Sequence, residues 1–455
     1  MSKLIRELVA VVGSDAVVHE PGALAAFASD SKVRGLPPLA VALPTATAQV
    51  QELVRLCGRR RLPLIPRGAG TGTAGGAVPE AAALVLDFSR MNKIVRIDED
   101  EMLADAQPGV VTAEFQAAVE KVDLFYPPDP ASNATSTLGG NAATGAGGLR
   151  AVKYGVTADW IAALEVVVAD GQVVRTGTRT RKGVVGYDLT RLFIGSEGTL
   201  GVITELTLRL IPKPAAKTTV LALFNELGQA GVAVQRVLRS AISPAAMELM
   251  DRTALRAVRD RVADLLPPDV CLLLIDVDGD EESVARQAEA LRALLQDLGA
   301  REVRVARDAR EARQLWSARR AVSPALYELR PQKYSEDVTV PVSRVVELIA
   351  GASRIAEQHR LLHASYGHAG DGNIHVNFLY DPDNAEETAR AASAREELFR
   401  LTLALGGTIS GEHGVGVAKR PFIAWEQGPA LLDLQRRLKR AFDPLNIFNP
   451  GKIFP

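Results

Sequence analysis

Three of the six histidines fall in two short glycine-rich stretches crowded with other polar groups. Gly367–Asn377 reads G-H-A-G-D-G-N-I-H-V-N, and Ser410–Gly416 reads S-G-E-H-G-V-G. His368, His375 and Glu412 together offer two imidazoles and a carboxylate. That donor set suits a divalent metal, Zn²⁺ first, with Mn²⁺ or Fe²⁺ as alternatives, and leaves positions open for a substrate. A metal so held could take an α-hydroxy acid through its carboxylate and hydroxyl and lower the pKa of the alcohol. His413, beside Glu412, could then remove the hydroxyl proton as general base. A hydride must also leave the α-carbon. No protein side chain accepts hydride, so a cofactor is required. The competing reading is that glycine-flanked histidines merely hydrogen-bond a turn; the clustering of five polar groups in two loops argues against it.

Two further polar residues belong with these knots. If Ile374–Asn377 is a strand, alternation puts His375 and Asn377 on one face and Ile374 and Val376 on the other, with His368 in the glycine turn just before. Arg319, in L-W-S-A-R at 315–319, could clamp a substrate carboxylate through a bidentate pair. Its helix carries many arginines, most of which must form a solvated face.

The rest of the chain must position these groups and house the cofactor. Residues 1–35 read as a short helix and a polar connection. Short strands are expected at Leu39–Leu43, Leu62–Ile65, Leu84–Leu86, Ile94–Ile97 and Met102–Ala106, with helices at Ala48–Arg61 and Val111–Lys121. Pro66-Arg67-Gly68-Ala69-Gly70-Thr71-Gly72 lies among them. Its alternating glycines allow several N–H groups to point into one concavity, the kind of nest that binds phosphate oxygens. Gly70–Gly75 spells G-x-G-x-x-G, but no amphipathic helix follows, so the dinucleotide fingerprint is discounted. No G-K-[ST] ending exists, which excludes a Walker loop. A second glycine run spans Ser136–Gly148 and a third Gly195–Gly201. One such run reads as a loop; several in one domain suggest a long ligand lying along backbone amides. Ile161–Ala169 and Val173–Thr176 flank Asp170-Gly171, a hairpin signal, and an alternating strand follows at Val202–Leu210.

Pro212 and Pro214 mark a boundary. Beyond them come strand Val220–Phe224, helix Ala230–Ser240, strand Ala245–Met250, helix Thr253–Leu265, strand Cys271–Val277, helix Glu281–Leu298 and strand Glu302–Ala306. Two β-α-β units in tandem predict a ferredoxin-like antiparallel sheet with helices on one side. A charged helix at Ala309–Tyr327, a strand at Asp337–Val340, and helices at Arg344–Gln358, Glu386–Leu405 and Ala430–Ala441 complete the reading.

At 455 residues two domains are expected. Lys plus Arg is 53 against 54 for Asp plus Glu, and no basic run interleaves with aromatics, so nucleic acid is not expected as a partner. Cys57 lies in a helical pattern and Cys271 opens an apolar strand; buried reduced thiols are expected, and no disulfide. The N-terminus lacks the apolar stretch of a signal peptide, and no run of about 20 apolar residues exists. The expected location is cytoplasmic, with peripheral attachment at the inner membrane compatible.

The long motifs resemble one family. P-R-G-A-G-T-G at 66–72, T-L-G-G-N-A-A-T-G-A-G-G at 137–148 and G-Y-D-L-T-R-L-F-I-G-S-E-G-T-L-G-V-I-T at 186–204 resemble the FAD domain of the vanillyl-alcohol oxidase and p-cresol methylhydroxylase superfamily. The two histidine knots and N-P-G-K-I-F at 449–454 resemble its D-2-hydroxy-acid branch, which includes D-lactate and D-2-hydroxyglutarate dehydrogenases and the FAD subunit of glycolate oxidase. The resemblance implies an α+β fold: a two-subdomain p-cresol-methylhydroxylase-type FAD-binding domain (1–212), a ferredoxin-like antiparallel-sheet substrate or cap domain (213–405), and a segment 406–455 that returns to the FAD domain and completes the active site. It implies FAD, bound by Pro66, Arg67, Gly68, Ala69, Gly70, Thr71 and Gly72 at the pyrophosphate. Pro130, Ser136, Gly139, Gly140, Asn141, Thr144, Gly147, Glu197, Gly198, Val202, Ile203 and Asn449 would line the rest. Positions 66–76 contain no histidine, so the flavin is expected to be noncovalent. By the same resemblance His368, His375 and Glu412 match metal ligands, Arg319 and Asn377 substrate contacts, and His413 the catalytic base. A substrate-binding lysine of some members falls at Ser335 here, with Lys333 the nearest lysine.

The expected reaction is FAD-dependent oxidation of a D-2-hydroxy acid such as D-lactate or glycolate to the 2-oxo acid. Electrons would pass to a quinone, a cytochrome, an electron-transfer flavoprotein or an iron–sulfur subunit, since two cysteines cannot hold a cluster. A homodimer is the expected assembly. The alternatives are the flavin subunit of a multi-subunit glycolate oxidase, an alditol or alcohol oxidase on the same fold, and a non-catalytic flavin-binding protein.

Overall fold

The structure, a computed structural model, describes residues 2–259, 267 and 269–454. It divides into two units, each built from separated stretches of chain. The first comprises Met1–Gly148, Gly155–Lys213 and Glu412–Pro455; the second comprises Leu149–Tyr154 and Pro214–Gly411.

In the first unit, strands β1 (Val17–Val18), β2 (Ala40–Ala42), β3 (Leu64–Arg67) and β4 (Leu84–Asp87) form a sheet in the order β1-β2-β4-β3. β4 runs parallel to both β2 and β3. Its residues are buried throughout, as the short apolar run L-V-L predicts for a strand covered on both faces. The helix Thr47–Arg60 lays Val50, Leu53, Val54, Leu56 and Cys57 against this sheet and ends on Arg61 in the left-handed region (φ 49°). Ile447 and Phe448, nearly four hundred residues on, join the same core. The Leu64 amide donates to the Ile447 carbonyl at 2.7 Å, and the Asn449 amide donates back to Leu64 at 2.8 Å.

Strands β5 (Ile94–Asp98), β6 (Leu103–Ala106), β7 (Leu124–Phe125), β8 (Ile161–Val167), β9 (Val173–Gly177), β10 (Val202–Arg209) and β11 (Ile211–Pro212) follow. Five of them make an antiparallel sheet, β5-β6-β10-β8-β9, while β7 and β11 pair alone. The Asp170-Gly171 turn closes the β8–β9 hairpin with Gly171 at φ +78°. Leu164, Val166, Leu206 and Leu208 pack against Phe115, Val119, Leu138 and Ala142.

The second glycine run is not the loop its composition suggested. Leu138–Thr144 is helical. Thr137 caps it, its hydroxyl accepting from the Gly140 amide, and Gly145 ends it at φ +67°. Capping at both ends and burial of Leu138, Asn141 and Ala142 outweigh the poor helix propensity of two glycines, about 1 kcal/mol each.

In the second unit, strands β12 (Ala216–Phe224), β13 (Pro244–Met250), β14 (Cys271–Gly279), β15 (Glu302–Val305), β16 (Gln332–Thr339), β17 (Leu362–His368) and β18 (Asn373–Tyr380) form one antiparallel sheet, ordered β15-β12-β14-β13-β17-β18-β16. The first four strands in this order give the ferredoxin-like 4-1-3-2 arrangement, and three more extend it. The helix Glu281–Asp297 buries Val284, Ala288, Leu291 and Leu295. Helices do not keep to one side, however. Leu315, Trp316, Val322 and Leu326 of the helix Ala309–Leu329 pack on Leu221, Leu223, Leu272 and Leu274, so a second face is covered too. The helix expected at Thr253–Leu265 is seen as Arg252–Ala257; residues 260–266 lie outside the described residues.

Two strand expectations change. β16 begins at Gln332 rather than Asp337, and β17 was not anticipated. β17 lies between β13 and β18 and is buried from Ala364 onward, so both faces are apolar or small and no alternation marks it. His368 is therefore the last residue of a strand, not part of the turn, and sits opposite Asn373 in the β17–β18 register. Cys57 and Cys271 are both buried, and burial pushes their thiols up, to about 12 and about 11. Among the described residues no helix is long and apolar enough to cross a membrane.

Candidate functional site

The first unit contains a cavity of about 260 Å³. The loop after β3 forms one wall, with Pro66, Arg67, Gly68, Ala69, Gly70, Thr71 and Gly72 all lining it. Among the described residues, the amides of Ala69 through Thr73 donate to no protein acceptor. Five consecutive free N–H groups make a nest for an anion. Arg67 points back beneath this loop. Its guanidinium donates to the Ala77 carbonyl at 3.4 Å and lies 5.7 Å from the centre of the Phe27 ring.

The opposite wall comes from the Leu138–Thr144 helix and the chain beyond it. Gly139, Gly140, Asn141, Thr144 and Gly147 line the cavity, as do Pro130, Glu197, Gly198 and Ile203. Ser136, Val202 and Asn449 do not. Ser136 is buried behind the wall, its hydroxyl 3.2 Å from that of Thr112, and Val202 is a core residue. Asn449 (φ 39°) donates to the carbonyls of Gly76 at 2.7 Å and Glu197 at 2.7 Å, so it braces the cavity from outside. Lining groups outside the expected set include Phe88, Pro108, Ser132, Thr137, Ser196, Glu412 and His413.

Glu197 holds the second histidine loop. It is a non-glycine residue in the left-handed region (φ 51°), buried, and its carboxylate accepts from the amides of Val415 at 2.7 Å and Gly416 at 2.9 Å. Burial raises its pKa, while these amides and the charges of Lys452 and Lys419 oppose the rise. The loop it pins carries His413, 3.8 Å from the Glu412 carboxylate. A Cβ on Gly147 would stand 3.0 Å from Glu412 Oε2 and 3.2 Å from its Cβ, so a larger residue there would have to push Glu412 aside by a few tenths of an ångström.

The wall tolerates little change. A Cβ on Gly139 would lie 2.4 Å from Pro108 Cβ and 2.9 Å from its backbone. Gly139→Ala must shift the helix or the Pro108 turn, at about 1–3 kcal/mol. The expected result is FAD affinity weaker by about ten- to a hundredfold, read as a lower ratio of flavin to protein absorbance after dialysis. A variant that keeps full flavin content would show that this wall does not touch the ligand.

In the second unit the sheet register gathers a different set of groups. Glu248 pairs with His368, Met250 with Tyr366, and Tyr366 with His375. Alternation then puts Glu248, His368, Tyr366, His375 and Asn377 on one face. The His368 and His375 rings meet edge to face, 5.3 Å between centres, and Tyr366 lies 5.5 Å from His375. Arg319 reaches this face from the Ala309–Leu329 helix. Its Nε donates to Glu248 Oε2 at 2.5 Å, and its guanidinium stacks 4.6 Å from the Tyr366 ring centre. Its two terminal nitrogens donate to no protein acceptor among the described residues. Glu248 Oε1 accepts from His368 Nδ1. Burial alone would raise the pKa of Glu248, but Arg319 and His368 hold it lowered. Asn377 is fully buried, with Nδ2 donating to the carbonyls of Ala364 and His375 at 3.1 and 3.0 Å. Lys333 is tied to the Arg319 helix, its Nζ donating to the Ser323 carbonyl at 2.8 Å. Glu248 was missed by sequence reasoning; the available signal was a lone carboxylate inside the apolar strand A-A-M-E-L-M.

Two family profiles match the chain: residues 213–453 match "FAD linked oxidases, C-terminal domain", and residues 38–177 match "FAD binding domain". The chain belongs to the FAD-linked oxidases. It falls in the D-2-hydroxy-acid branch of the vanillyl-alcohol oxidase and p-cresol methylhydroxylase superfamily, and it is an FAD-dependent oxidoreductase. It is 43% identical to the glycolate oxidase subunit GlcD of Bacillus subtilis, over 92% of this chain and 89% of that protein. It is 34% identical to the probable mitochondrial D-lactate dehydrogenase of Danio rerio, over 93% of this chain and 86% of that protein. The solved structure of p-cresol methylhydroxylase with substrate bound shares the fold, with a TM-score of 0.82 at 22% identity, covering 99% of this chain and 96% of that one. The FAD-linked oxidase cavity fits its cofactor: free amides at Ala69–Thr73 suit a pyrophosphate, and glycines at 139, 140 and 147 let a flat ring lie against backbone.

Proposed function

We propose that this FAD-linked oxidase converts a D-2-hydroxy acid of the glycolate or D-lactate kind to the corresponding 2-oxo acid. Bound FAD supplies the acceptor for the α-hydrogen and its electron pair. The Ala69–Thr73 amides would hold its pyrophosphate, with Gly139, Gly140 and Gly147 beside its rings. His413, on the cavity wall, takes the hydroxyl proton. Arg319 presents its free guanidinium edge to the substrate carboxylate. His368, His375 and Glu412 would hold a divalent ion, Zn²⁺ first, which would supply Lewis-acid chemistry to ease loss of the hydroxyl proton. Asn377 supports the β18 backbone under His375.

The observation that carries this reading is the buried, half-satisfied Arg319 on the same sheet face as two adjacent imidazoles. Its Nε is fixed on Glu248, and its two terminal nitrogens, which are not closed off from solvent, are left to pair with an anion in a bidentate fork. The donor set for the metal has support in this unit: His368 gives Nδ1–H to Glu248, which leaves Nε2 as the ligand nitrogen. Gly411, the residue before Glu412, donates its amide to the carbonyl and the carboxylate of Asp337, each at 3.0 Å, and Asp337 is the register partner of His375.

A second reading is that the chain is the flavin subunit of a multi-subunit glycolate oxidase, with an iron–sulfur partner taking the electrons. The likeness to the GlcD subunits favours it. One experiment addresses both. Oxidised protein is mixed anaerobically with D-lactate, L-lactate, glycolate and D-2-hydroxyglutarate, and the flavin band near about 450 nm is followed. Bleaching by glycolate or a D-acid is the expected result, and a flavin that none of them bleaches would refute the substrate class. Turnover with dyes but not with quinone, cytochrome or electron-transfer flavoprotein would favour the multi-subunit reading.

A further inference from the structure

Glu248 has no outlet to solvent and two cationic or potentially cationic neighbours. It lies in β13, an interior strand held by β14 on one side and β17 on the other. Its oxygens are divided between them: Oε1 accepts from His368 Nδ1, and Oε2 accepts from Arg319 Nε. A carboxylate is acceptor-only, so both contacts fix the direction of the hydrogen bond. His368 must carry a proton on Nδ1, so the nitrogen that can offer a lone pair to a metal is Nε2. Arg319 must turn its Nε edge toward the sheet, which leaves the two terminal nitrogens as a parallel pair of donors.

The helix bearing Arg319 is itself pinned. Trp316, nearly one turn earlier, donates Nε1 to Asp276 Oδ1 at 2.8 Å, and Asp276 also accepts from Thr219 at 2.6 Å. Strand register fixes Glu248 opposite His368, and the helix fixes Arg319 above both. A buried ion pair of this kind contributes little net stability compared with an apolar replacement. Its retention inside an apolar strand calls for another role.

We propose that Glu248 is a positioning residue that sets the His368 tautomer for metal ligation and the Arg319 fork for the substrate carboxylate through one side chain. The inference rests on the roles given above to His368 and Arg319. Its physical content is that a single carboxylate couples metal affinity to substrate affinity. Glutamine is nearly the same size but keeps only one acceptor oxygen. Its amide nitrogen must face either the His368 N–H or the Arg319 N–H, so one of the two loses its partner.

The test uses the full-length flavoprotein. Wild type, Glu248→Gln and Glu248→Asp are stripped with dipicolinate. Zn²⁺ is then titrated back in competition with a chromophoric chelator, and KM and kcat for the preferred acid are measured at saturating Zn²⁺. Glu248→Gln is expected to weaken Zn²⁺ binding by about 10–100-fold and to raise KM by a larger factor than it lowers kcat. Glu248→Asp keeps the charge on a shorter stem and should recover part of both losses. If wild type binds Zn²⁺ and Glu248→Gln matches it in Zn²⁺ affinity and KM, the inference is overturned while the metal reading stands. If wild type takes up no Zn²⁺, Mn²⁺ or Fe²⁺, the metal reading falls and the inference with it. Should Glu248→Gln be insoluble, Glu248→Asp decides: unchanged Zn²⁺ affinity and KM there overturn the inference.

Discussion

Replacing His413 with glutamine is expected to slow reduction of the flavin by a D-2-hydroxy acid about 10²–10⁴-fold, the range for a lost general base. FAD content should be unchanged. The reason for expecting a clean effect lies in the loop. Glu197 holds the amides of Val415 and Gly416, and the Val417 amide donates to the Ala74 carbonyl at 2.9 Å. None of these bonds involves the His413 ring, so the loop should keep its course when the ring is removed. Glutamine preserves hydrogen-bonding capacity but cannot take the proton. Anaerobic stopped-flow at the flavin band measures the step directly, free of the electron acceptor. In His413→Ala, added imidazole should restore part of the rate by entering the vacated space. A glutamine variant within about threefold of wild type would remove His413 from the role of base.

Arg319→Met is expected to destabilise the second unit by about 3–5 kcal/mol, because it leaves Glu248 as a buried charge without its main counter-ion. His368 can offset only part of that by taking a proton. Unfolding of a chain with two units need not be two-state, so the readout should belong to one unit. Trp316 is the single tryptophan of the second unit; the other two, Trp160 and Trp425, lie in the first. With those two changed to phenylalanine, urea unfolding followed by Trp316 fluorescence reports on the helix that carries Arg319. The companion variant removes both charges. Glu248→Met with Arg319→Met should recover at least half of the lost stability while remaining inactive, since the penalty belongs to the orphaned charge. Equal stability of wild type and Arg319→Met would mean that Glu248 is not ionised in the folded protein.

Elements with local, one-faced patterns were legible in the sequence. The helix Thr47–Arg60 shows its buried stripe at Val50, Leu53, Val54 and Cys57, and the β8–β9 hairpin shows its Asp170-Gly171 turn. β17 was hidden because a strand buried on both sides has no alternation to read, and L-H-A-S-Y-G-H is short of the branched residues that usually mark strands. The Leu138–Thr144 helix was hidden because adjacent glycines signal a loop unless capping and burial outweigh them. Most residues expected around the cofactor do line the cavity. The exceptions, Ser136, Val202 and Asn449, sit one layer behind it, a distinction that motif spacing does not carry. Glu248 shows the other kind of gap. Its significance lies in what it touches across 71 and 120 residues of chain, and nothing near it in sequence announces either partner.

The order of the segments has a consequence for how the molecule is made. The second unit is an insertion: the chain leaves the first unit at Gly148, contributes Leu149–Tyr154, returns at Gly155, departs again after Lys213, and comes back at Glu412. The first unit's core contains Ile447 and Phe448, and the β3 edge hydrogen-bonds to that segment. During synthesis the β1–β4 sheet therefore emerges from the ribosome long before the strand-like segment that closes it. Some two hundred residues of the inserted unit must be translated in between, which at about 5–20 residues per second leaves that hydrophobic edge uncovered for about ten seconds or more. A nascent chain of this topology is a natural client for a holding chaperone. It also resists dissection, because no single cut yields either unit whole.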